Sequence, residues 1–289
     1  MKTDINMPKW KVMLNLASKL LTAIWILLIV YLIYLVYPFI SVMISIGRIP
    51  TTYFEITLKG NQAVYHQTKL RPKNWVNLND ISKRLRGAII SSEDGKFYIH
   101  PGYDSEELQD AINDGLVKKK KKVRGASTIT QQLIKNLYFQ NDRSFSRKTK
   151  EMGMTLLIEE KVSKDKILET YLNVIEYGEK IYGIKEASQH YFKKLPRDLN
   201  ARESAFLAML LPSPKRYSQS FKRKELTAYA KKTVNSILFK MLQGGYIGIE
   251  EYQTNIAGRM AWEKFNEPEI IAEPLLFESE TSSDDLGDF

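Results

Sequence analysis

The longest apolar stretch of the chain lies near its N-terminus. Residues 20–47 carry no formal charge and are rich in Leu, Ile, Val and Tyr. As a helix they would extend about 42 Å, which exceeds the hydrocarbon core of a bilayer, about 30 Å. We expect Pro38 to kink or end the regular part. The pattern predicts one transmembrane signal-anchor helix over residues 20–47, because a cleavable signal peptide has an apolar region of only about 7–15 residues.

The rest of the chain is dominated by helical periodicity. Residues 48–74 predict a juxtamembrane linker, with weak strand alternation and a turn at residues 59–61. Residues 75–260 predict one mainly α domain. Within it we expect a helix to about residue 90, capped by Asp80 or Ser82. A second helix is expected to begin at about residue 128, a third to end at about residue 160, and a fourth to end near residue 178. Three more are expected over residues 200–211, 225–242 and 249–257. Residues 261–289 predict an acidic, disordered tail.

Charge is unevenly distributed along the chain. The formal net charge is +10, but residues 267–289 hold eight acidic and no basic residues, so the remainder carries +18. A basic body favours an anionic partner, such as membrane head groups or a phosphorylated substrate. Four lysines precede the apolar span, and only two basic residues, Arg48 and Lys59, follow it closely. Because the side of a membrane span with more Lys and Arg usually stays in the cytoplasm, we expect residues 1–19 to be cytoplasmic and the domain after the span to be external. The chain has no cysteine, which excludes disulfides and thiolate catalysis.

The first candidate site is Glu93, at the expected end of a short helix. It lies four residues after Ile89 and four before Phe97, on an apolar flank. The partial negative charge of a helix C-terminus disfavours a carboxylate there, and such local conflicts are typical of functional sites. The alternative is a solvated turn closed by Gly95, and this stretch by itself leaves both interpretations open.

Two later segments suit an anionic ligand. At residues 125–136, Thr128 and Gln131 have capping-box spacing, and hydroxyls, backbone N–H groups and Lys135 follow a glycine. We expect Gln131 and Lys135 to share a face. Next, four cations gather at a helix start, where they oppose the helix dipole: Arg143, Arg147, Lys148 and Lys150. Glu151 follows them and is expected to stay ionised. The basic run at residues 118–124 predicts a mobile loop, with head-group binding as the alternative.

These segments together resemble the peptidoglycan glycosyltransferases, a lysozyme-like domain found in monofunctional biosynthetic transglycosylases and in bifunctional penicillin-binding proteins. The family's first motif, Glu-Asp-x-x-Phe-x-x-His-x-Gly, is matched by Glu93, Asp94, Phe97, His100 and Gly102. The second, Gly-x-Ser-Thr-Ile-Thr-Gln-Gln-Leu-x-Lys-Asn, is matched by residues 125–136. The third, Arg-Lys-x-x-Glu, is matched by Arg147, Lys148 and Glu151, and the fourth, Ile-Leu-Glu-x-Tyr-Leu-Asn, by residues 167–173. Lys231 and Lys232 do not fall in register with the family's later arginines.

The resemblance implies an inverting hexosyltransferase that polymerises lipid II into β-1,4-linked glycan and releases undecaprenyl diphosphate. Glu93, partly desolvated, is the expected general base on the acceptor 4-hydroxyl. By resemblance Glu151 assists at the pyrophosphate, directly or through Mg or Mn, and no organic cofactor is expected. The candidate substrate-binding residues are Asp94, Phe97, His100, Ser127, Gln131, Gln132, Lys135, Arg143, Arg147, Lys148 and Lys150. Asp94 and His100 could instead shape the loop that presents Glu93.

The expected location is the bacterial cytoplasmic (inner) membrane, with a single pass and the domain outside. The expected partners are lipid II, the growing glycan strand and other cell-wall synthesis proteins, and no nucleic acid. Two other functions remain open from the sequence. A lysozyme-like lytic transglycosylase would share the fold and an acidic residue but would not need the cations around Glu151. A non-catalytic membrane-anchored adaptor would keep the anchor and could bind glycan without acting on it.

Overall fold

The computed structural model of the chain describes residues 9–106, 109, 127–140 and 147–264. Several sequence predictions lie outside these residues: the basic run at residues 118–124, Gly125, Arg143 and most of the acidic tail. Helix α1, Lys9–Arg48, runs through the whole apolar stretch. It continues past Pro38, so the regular part of the helix does not end there. A single proline removes one backbone hydrogen bond, and the turns on both sides can keep the helix intact.

Helix α1 is long and apolar enough to cross a membrane. Residues Met13–Thr51 have a mean hydropathy of 2.5 in their most apolar window, none of which is buried. Large apolar side chains such as Trp25 and Leu27 are 62% and 68% exposed. An apolar surface of this extent requires a covering. The helix is therefore a candidate membrane anchor.

A β-hairpin follows α1, as the sequence predicted. Strand β1, Tyr53–Lys59, pairs antiparallel with β2, Gln62–Thr68. Gly60 supplies the positive φ of 65° that the tight turn requires. The end of α1 packs onto this hairpin and the helical domain, since Ile46 and Ile49 are fully buried in the core.

The domain beyond the hairpin is mainly α, which confirms the predicted fold class. Its α-helices, as far as the described residues go, are α2 Lys83–Glu93, α3 Ile129–Tyr138, α4 Arg147–Lys161, α5 Lys164–Val174, α6 Ile184–Phe192, α7 Ala201–Leu210, α8 Pro214–Tyr217, α9 Gln219–Arg223, α10 Ala228–Gln243 and α11 Ile249–Ala257. The sequence analysis missed a second small antiparallel sheet, formed by β3, Glu176–Gly178, and β4, Ile181–Tyr182. Helix α10 begins at Ala228 rather than near residue 225, because Thr227 caps it through the Ala230 N–H.

Helix α7 lies at the centre of the domain. Every one of its residues is buried, including the polar Arg202, Glu203 and Ser204 of its first turn. It packs against α2 and α10. Gly87 in α2 admits the Tyr246 ring, since a Cβ at position 87 would lie 2.5 Å from Tyr246 Cγ. This packing fixes α2, and Glu93 is the last residue of α2.

Candidate active site

Glu93 ends α2 in a partly buried position. Its Oε2 accepts a hydrogen bond of 2.9 Å from Gln132 Nε2 of α3. Burial raises the pKa of the Glu93 carboxyl, the Gln132 hydrogen bond and the charge of Lys240 lower it, and the charge of Asp94 raises it further. Burial is the largest of these effects, so the carboxyl takes up a proton more readily than an exposed glutamate does. This is a property that a general base requires.

Tyr171 of α5 orients the amide that faces Glu93. Its hydroxyl donates a hydrogen bond of 2.8 Å to Gln132 Oε1, which leaves Gln132 Nε2 to donate to Glu93. Tyr171 is fully buried. Helical periodicity places Tyr171 on an apolar stripe of this helix and does not reveal the link. The available signal was the phenol itself, because a buried tyrosine hydroxyl usually has a hydrogen-bond partner.

Asp94 and His100 connect the loop after α2 to the start of α3. Asp94 Oδ1 lies 2.7 Å from His100 Nε2, and Asp94 Oδ2 accepts from the Ile129 N–H at 3.0 Å. The Gly102 N–H donates to His100 Nδ1 at 3.0 Å, which assigns the ring proton to Nε2. Both side chains are buried. These contacts match the interpretation in which Asp94 and His100 shape the loop rather than touch substrate.

Phe97 also faces the interior rather than the open site. Its side chain is fully buried, and Lys164 Nζ lies 4.6 Å from the ring centroid. A side chain with no exposed surface has no direct contact to offer a substrate. The sequence analysis grouped Phe97 with the substrate-binding candidates because spacing alone does not reveal which way a side chain points.

Gly102 closes the same loop at a position that only glycine fits. Its φ is +98°, and a Cβ there would lie 2.7 Å from Thr155 Cγ2 and 2.8 Å from Glu159 Cγ. We expect Gly102→Ala to lower the free energy of unfolding by about 1–3 kcal/mol, because it combines backbone strain with a clash against α4. Thermal unfolding of the protein in detergent measures the change. Gly153→Ala is the matched control, since a Cβ there meets nothing within 4 Å. Equal melting temperatures for the two variants would contradict the prediction.

Helix α3 begins as its sequence predicted. Thr128 caps it by accepting from the Gln131 N–H at 3.2 Å, and the Thr128 hydroxyl donates to the Gly102 carbonyl at 2.7 Å. Gln131 and Lys135 lie one turn apart on the same side of the helix, as expected, but they differ in exposure. Gln131 is buried and Lys135 is exposed. The reason is that Lys148 of α4 covers the Gln131 amide.

The cations at the start of α4 lie against α3 and Glu151. Lys148 Nζ donates to Ser127 Oγ and to Gln131 Oε1, both at 3.2 Å, and lies 3.9 Å from Glu151 Oε2. Arg147 Nε lies 2.8 Å from Glu151 Oε1, a charge contact without the alignment of a hydrogen bond. Glu151 itself is only 3% exposed. Lys150 is exposed.

The first turn of α3 therefore connects the two carboxylates. On one side Gln132 reaches Glu93, and on the other Gln131 reaches Lys148, which faces Glu151. This arrangement combines a desolvated carboxyl, which can accept a proton, with a cationic surface, which can hold an anion.

The residues around Glu151 do not fit a divalent metal held by the protein. Within the part of the chain that the structure describes, no three His, Cys, Asp or Glu side chains form a group suited to a metal ion. Glu151 faces the cations Arg147 and Lys148, whereas Mg²⁺ prefers carboxylate and water oxygens. These cations supply positive charge beside Glu151.

Comparison with known proteins adds an independent observation. Residues 61–242 match the model of the family described as Transglycosylase. The biosynthetic peptidoglycan transglycosylase of Thiobacillus denitrificans is 42% identical over 188 residues, which are 64% of this chain and 80% of that protein. The protein of the same name from Haemophilus influenzae is 46% identical over 141 residues, 49% of this chain and 57% of that protein. The one from Herminiimonas arsenicoxydans is 37% identical over 222 residues, 75% of this chain and 94% of that protein.

Proposed function

Because the chain belongs to the transglycosylase family, we propose that it is a peptidoglycan glycosyltransferase that polymerises lipid II into β-1,4-linked glycan and releases undecaprenyl diphosphate. The observation that carries this proposal is Glu93: a carboxyl of raised pKa, hydrogen-bonded by Gln132, one helix away from a cluster of cations. A glycosyl transfer requires both a base for the attacking hydroxyl and stabilisation of the departing anion.

In the proposed reaction Glu93 removes the proton from the acceptor's 4-hydroxyl as that oxygen attacks the anomeric carbon of the donor. A new bond forms between O4 and C1, and the bond between C1 and the diphosphate oxygen breaks. Attack from the opposite face inverts the α-linked donor to a β-linked product. The proton is left on Glu93, and the raised pKa of this carboxyl favours that transfer.

The leaving diphosphate is assigned to the cations of α4. Arg147 and Lys148 would bind it by charge-assisted hydrogen bonds, together with the Ser127 hydroxyl. Lys148 would exchange its 3.2 Å contact with Gln131 for a phosphate oxygen. Glu151 holds both cations in place from its buried position. Lys135, Lys150 and, by resemblance, Arg143 add charge to the same region, and no step in this scheme requires a metal.

The buried members of the first motif receive positioning roles. Asp94 and His100 hold the loop after α2 against α3, so they fix the distance between Glu93 and Gln132. Phe97 fills the interior beneath the loop. A rigid support of this kind keeps a reacting group within reach of its target, which is worth a large part of an enzyme's rate.

The location of the enzyme follows from α1 and from its substrate. Lipid II keeps its lipid tail in the bilayer, so an anchored enzyme meets it in two dimensions. The excess of lysines before the span supports a cytoplasmic N-terminus and an external domain, in the inner membrane of a bacterium. Ser45 of α1 accepts from or donates to Tyr138 OH at 2.9 Å, which ties the anchor to the end of α3. Other cell-wall synthesis proteins are further proposed partners.

The proposal is tested with the purified full chain in detergent. Incubation with lipid II should give glycan polymer and free undecaprenyl diphosphate, which gel electrophoresis and thin-layer chromatography resolve. Incubation with mature glycan should release nothing. Release of fragments from mature glycan would overturn the proposal in favour of a lytic enzyme. Absence of reaction with either substrate would overturn it in favour of an adaptor.

A prediction for Tyr171 concerns the pH dependence of this reaction. Tyr171→Phe frees the Gln132 amide, so the hydrogen bond that lowers the pKa of Glu93 weakens. As a base, Glu93 must be deprotonated, so the acid side of the kcat/KM profile should move to higher pH. We expect a roughly 2- to 10-fold loss of kcat/KM on that side, from a hydrogen bond of about 0.5–1.5 kcal/mol, with little change on the alkaline side.

The matched control is Tyr177→Phe. Tyr177 is equally buried, but its hydroxyl has no hydrogen-bond partner in the structure. Its removal should therefore leave the pH profile of the wild type unchanged. If Tyr171→Phe also leaves the acid side in place, the orienting role of Tyr171 is wrong.

A further inference from the structure

A second cationic site lies apart from Glu93 and Glu151, where the starts of α7 and α10 meet the segment after α11. It is a cavity of about 420 Å³. Its lining includes five cationic side chains and two carboxylates: Arg202, Lys224, Lys231, Arg259, Lys264, Glu225 and Glu263. None of these belongs to the candidate active site. The lining therefore carries an excess of positive charge, and we call this site the basic cavity.

Arg202 is the buried group of the basic cavity. It is 4% exposed, and its Nη1 donates to the Asn255 carbonyl at 3.0 Å. Its Nε is buried and has no hydrogen-bond partner among the described residues. Burial lowers the pKa of the guanidinium, and the charge of Glu263 raises it. A buried N–H of a cation that lacks an acceptor is costly, so an added anionic oxygen would be bound favourably here.

The chain itself leads from this cavity into its most acidic segment. The Lys264 N–H donates to the Lys224 carbonyl at 2.9 Å, which fixes the backbone at the cavity wall. Glu267 comes three residues later, within about 11 Å of that point along an extended chain. Residues 267–289 contain eight acidic residues and no basic one. Opposite charges are thus held next to each other by the covalent chain.

We propose that the basic cavity is a docking site for the acidic segment of the same chain, residues 267–289. The first glutamates beyond Lys264 bind Arg202 and the surrounding lysines. Because the segment is tethered at the cavity wall, its effective concentration there is in the millimolar range or above. Even individually weak contacts between exposed charges then suffice for binding.

The basic cavity and Glu93 lie near opposite ends of α10. Lys231 lies near the start of α10, and Lys240, whose charge acts on Glu93, lies near its end. Nine residues of helix place these positions about 14 Å apart along the axis.

Zero-length cross-linking with a carbodiimide tests the docking, because it joins lysines to carboxylates only when they are in contact. The full chain in detergent, mixed in equal amounts unlabelled and ¹⁵N-labelled, is cross-linked and analysed by mass spectrometry. We expect cross-links from residues 267–289 to Lys224, Lys231 or Lys264 within single molecules, and their loss at about 1 M salt, where screening extends to about 3 Å. The ion pair between the partly exposed Lys194 and the buried Glu203, at 2.7 Å, is the internal control.

An arginine variant separates binding from the coupling chemistry, since arginine does not react with the carbodiimide. Arg259→Gln should lower the cross-link yield at Lys231 roughly two- to fivefold, as expected for one exposed charge contact. Arg223→Gln, an exposed arginine outside the cavity lining, should not. Three results would overturn the proposal. The first is that no cross-link from residues 267–289 to the cavity lysines is found although the control cross-link between Lys194 and Glu203 forms, and the second is that such cross-links form only between labelled and unlabelled copies. The third is that the cross-link yield changes neither with salt nor in the Arg259→Gln variant.

Discussion

Glu93→Gln is expected to lower the rate of lipid II polymerisation by roughly 10²- to 10⁴-fold, the usual contribution of a general base. The amide keeps the size of the side chain and can still accept from Gln132, but it cannot take a proton from the acceptor hydroxyl. This corresponds to about 3–5 kcal/mol of activation free energy. Polymer formation from lipid II by the wild type and the variant, at equal protein concentration, gives the ratio directly.

The same variant should be more stable than the wild type at neutral pH. Burial raises the pKa of Glu93 in the folded state, so the folded protein binds more protons than the unfolded chain between the ordinary carboxyl pKa and the raised one. Stability is therefore lost as pH rises through that window. Glutamine does not ionise, so its melting temperature should exceed that of the wild type at neutral pH, and the difference should shrink towards pH 4.

Loss of activity together with a gain in stability distinguishes a removed base from a damaged fold. Glu160→Gln serves as the control, because Glu160 is an exposed carboxylate of α4 and should leave both quantities unchanged. Polymerisation by Glu93→Gln within tenfold of the wild type would refute the role assigned to Glu93. A melting temperature of Glu93→Gln below that of the wild type at neutral pH would refute the conclusion that the Glu93 carboxyl is desolvated in the folded protein.

The elements of this site could be predicted from the sequence where local rules determine them. Ser82 and Thr128 cap their helices through their own side chains, and each is a candidate cap from sequence alone. The contact between Arg147 and Glu151 follows from their spacing of four residues on one helix. The apolar run that forms α1 is longer than any soluble helix needs.

The features of the fold and the site that the sequence does not predict depend on contacts between distant parts of the chain. Gln132 and Tyr171 meet across 39 positions, and their hydrogen bond depends on how α3 packs on α5. The burial of Phe97 depends on the same packing. The strands β3 and β4 are three and two residues long, which is too short for a periodic pattern to register. Helix α1 passes through Pro38, a place where local propensity predicts a break.

Asp94→Ala is expected to lower the free energy of unfolding by about 2–6 kcal/mol. It leaves two buried donors without an acceptor, His100 Nε2 and the Ile129 N–H, and each costs about 1–3 kcal/mol. For a domain of this size the melting temperature should fall by roughly 5–20 °C. Asp94→Asn retains one acceptor and should lose about half as much. Thermal unfolding in detergent, followed by circular dichroism, measures both variants.

The size of this loss decides between two roles for Asp94. As a positioning residue it acts through His100 and α3, so Asp94→Ala and a His100→Ala variant should show coupled, non-additive losses of stability. As a substrate contact it would instead raise KM and leave the melting temperature unchanged. Asp198→Ala, at an exposed position, is the control and should stay within about 0.5 kcal/mol of the wild type. Additive losses would mean that the contact between Asp94 and His100 does not hold the loop beneath Glu93.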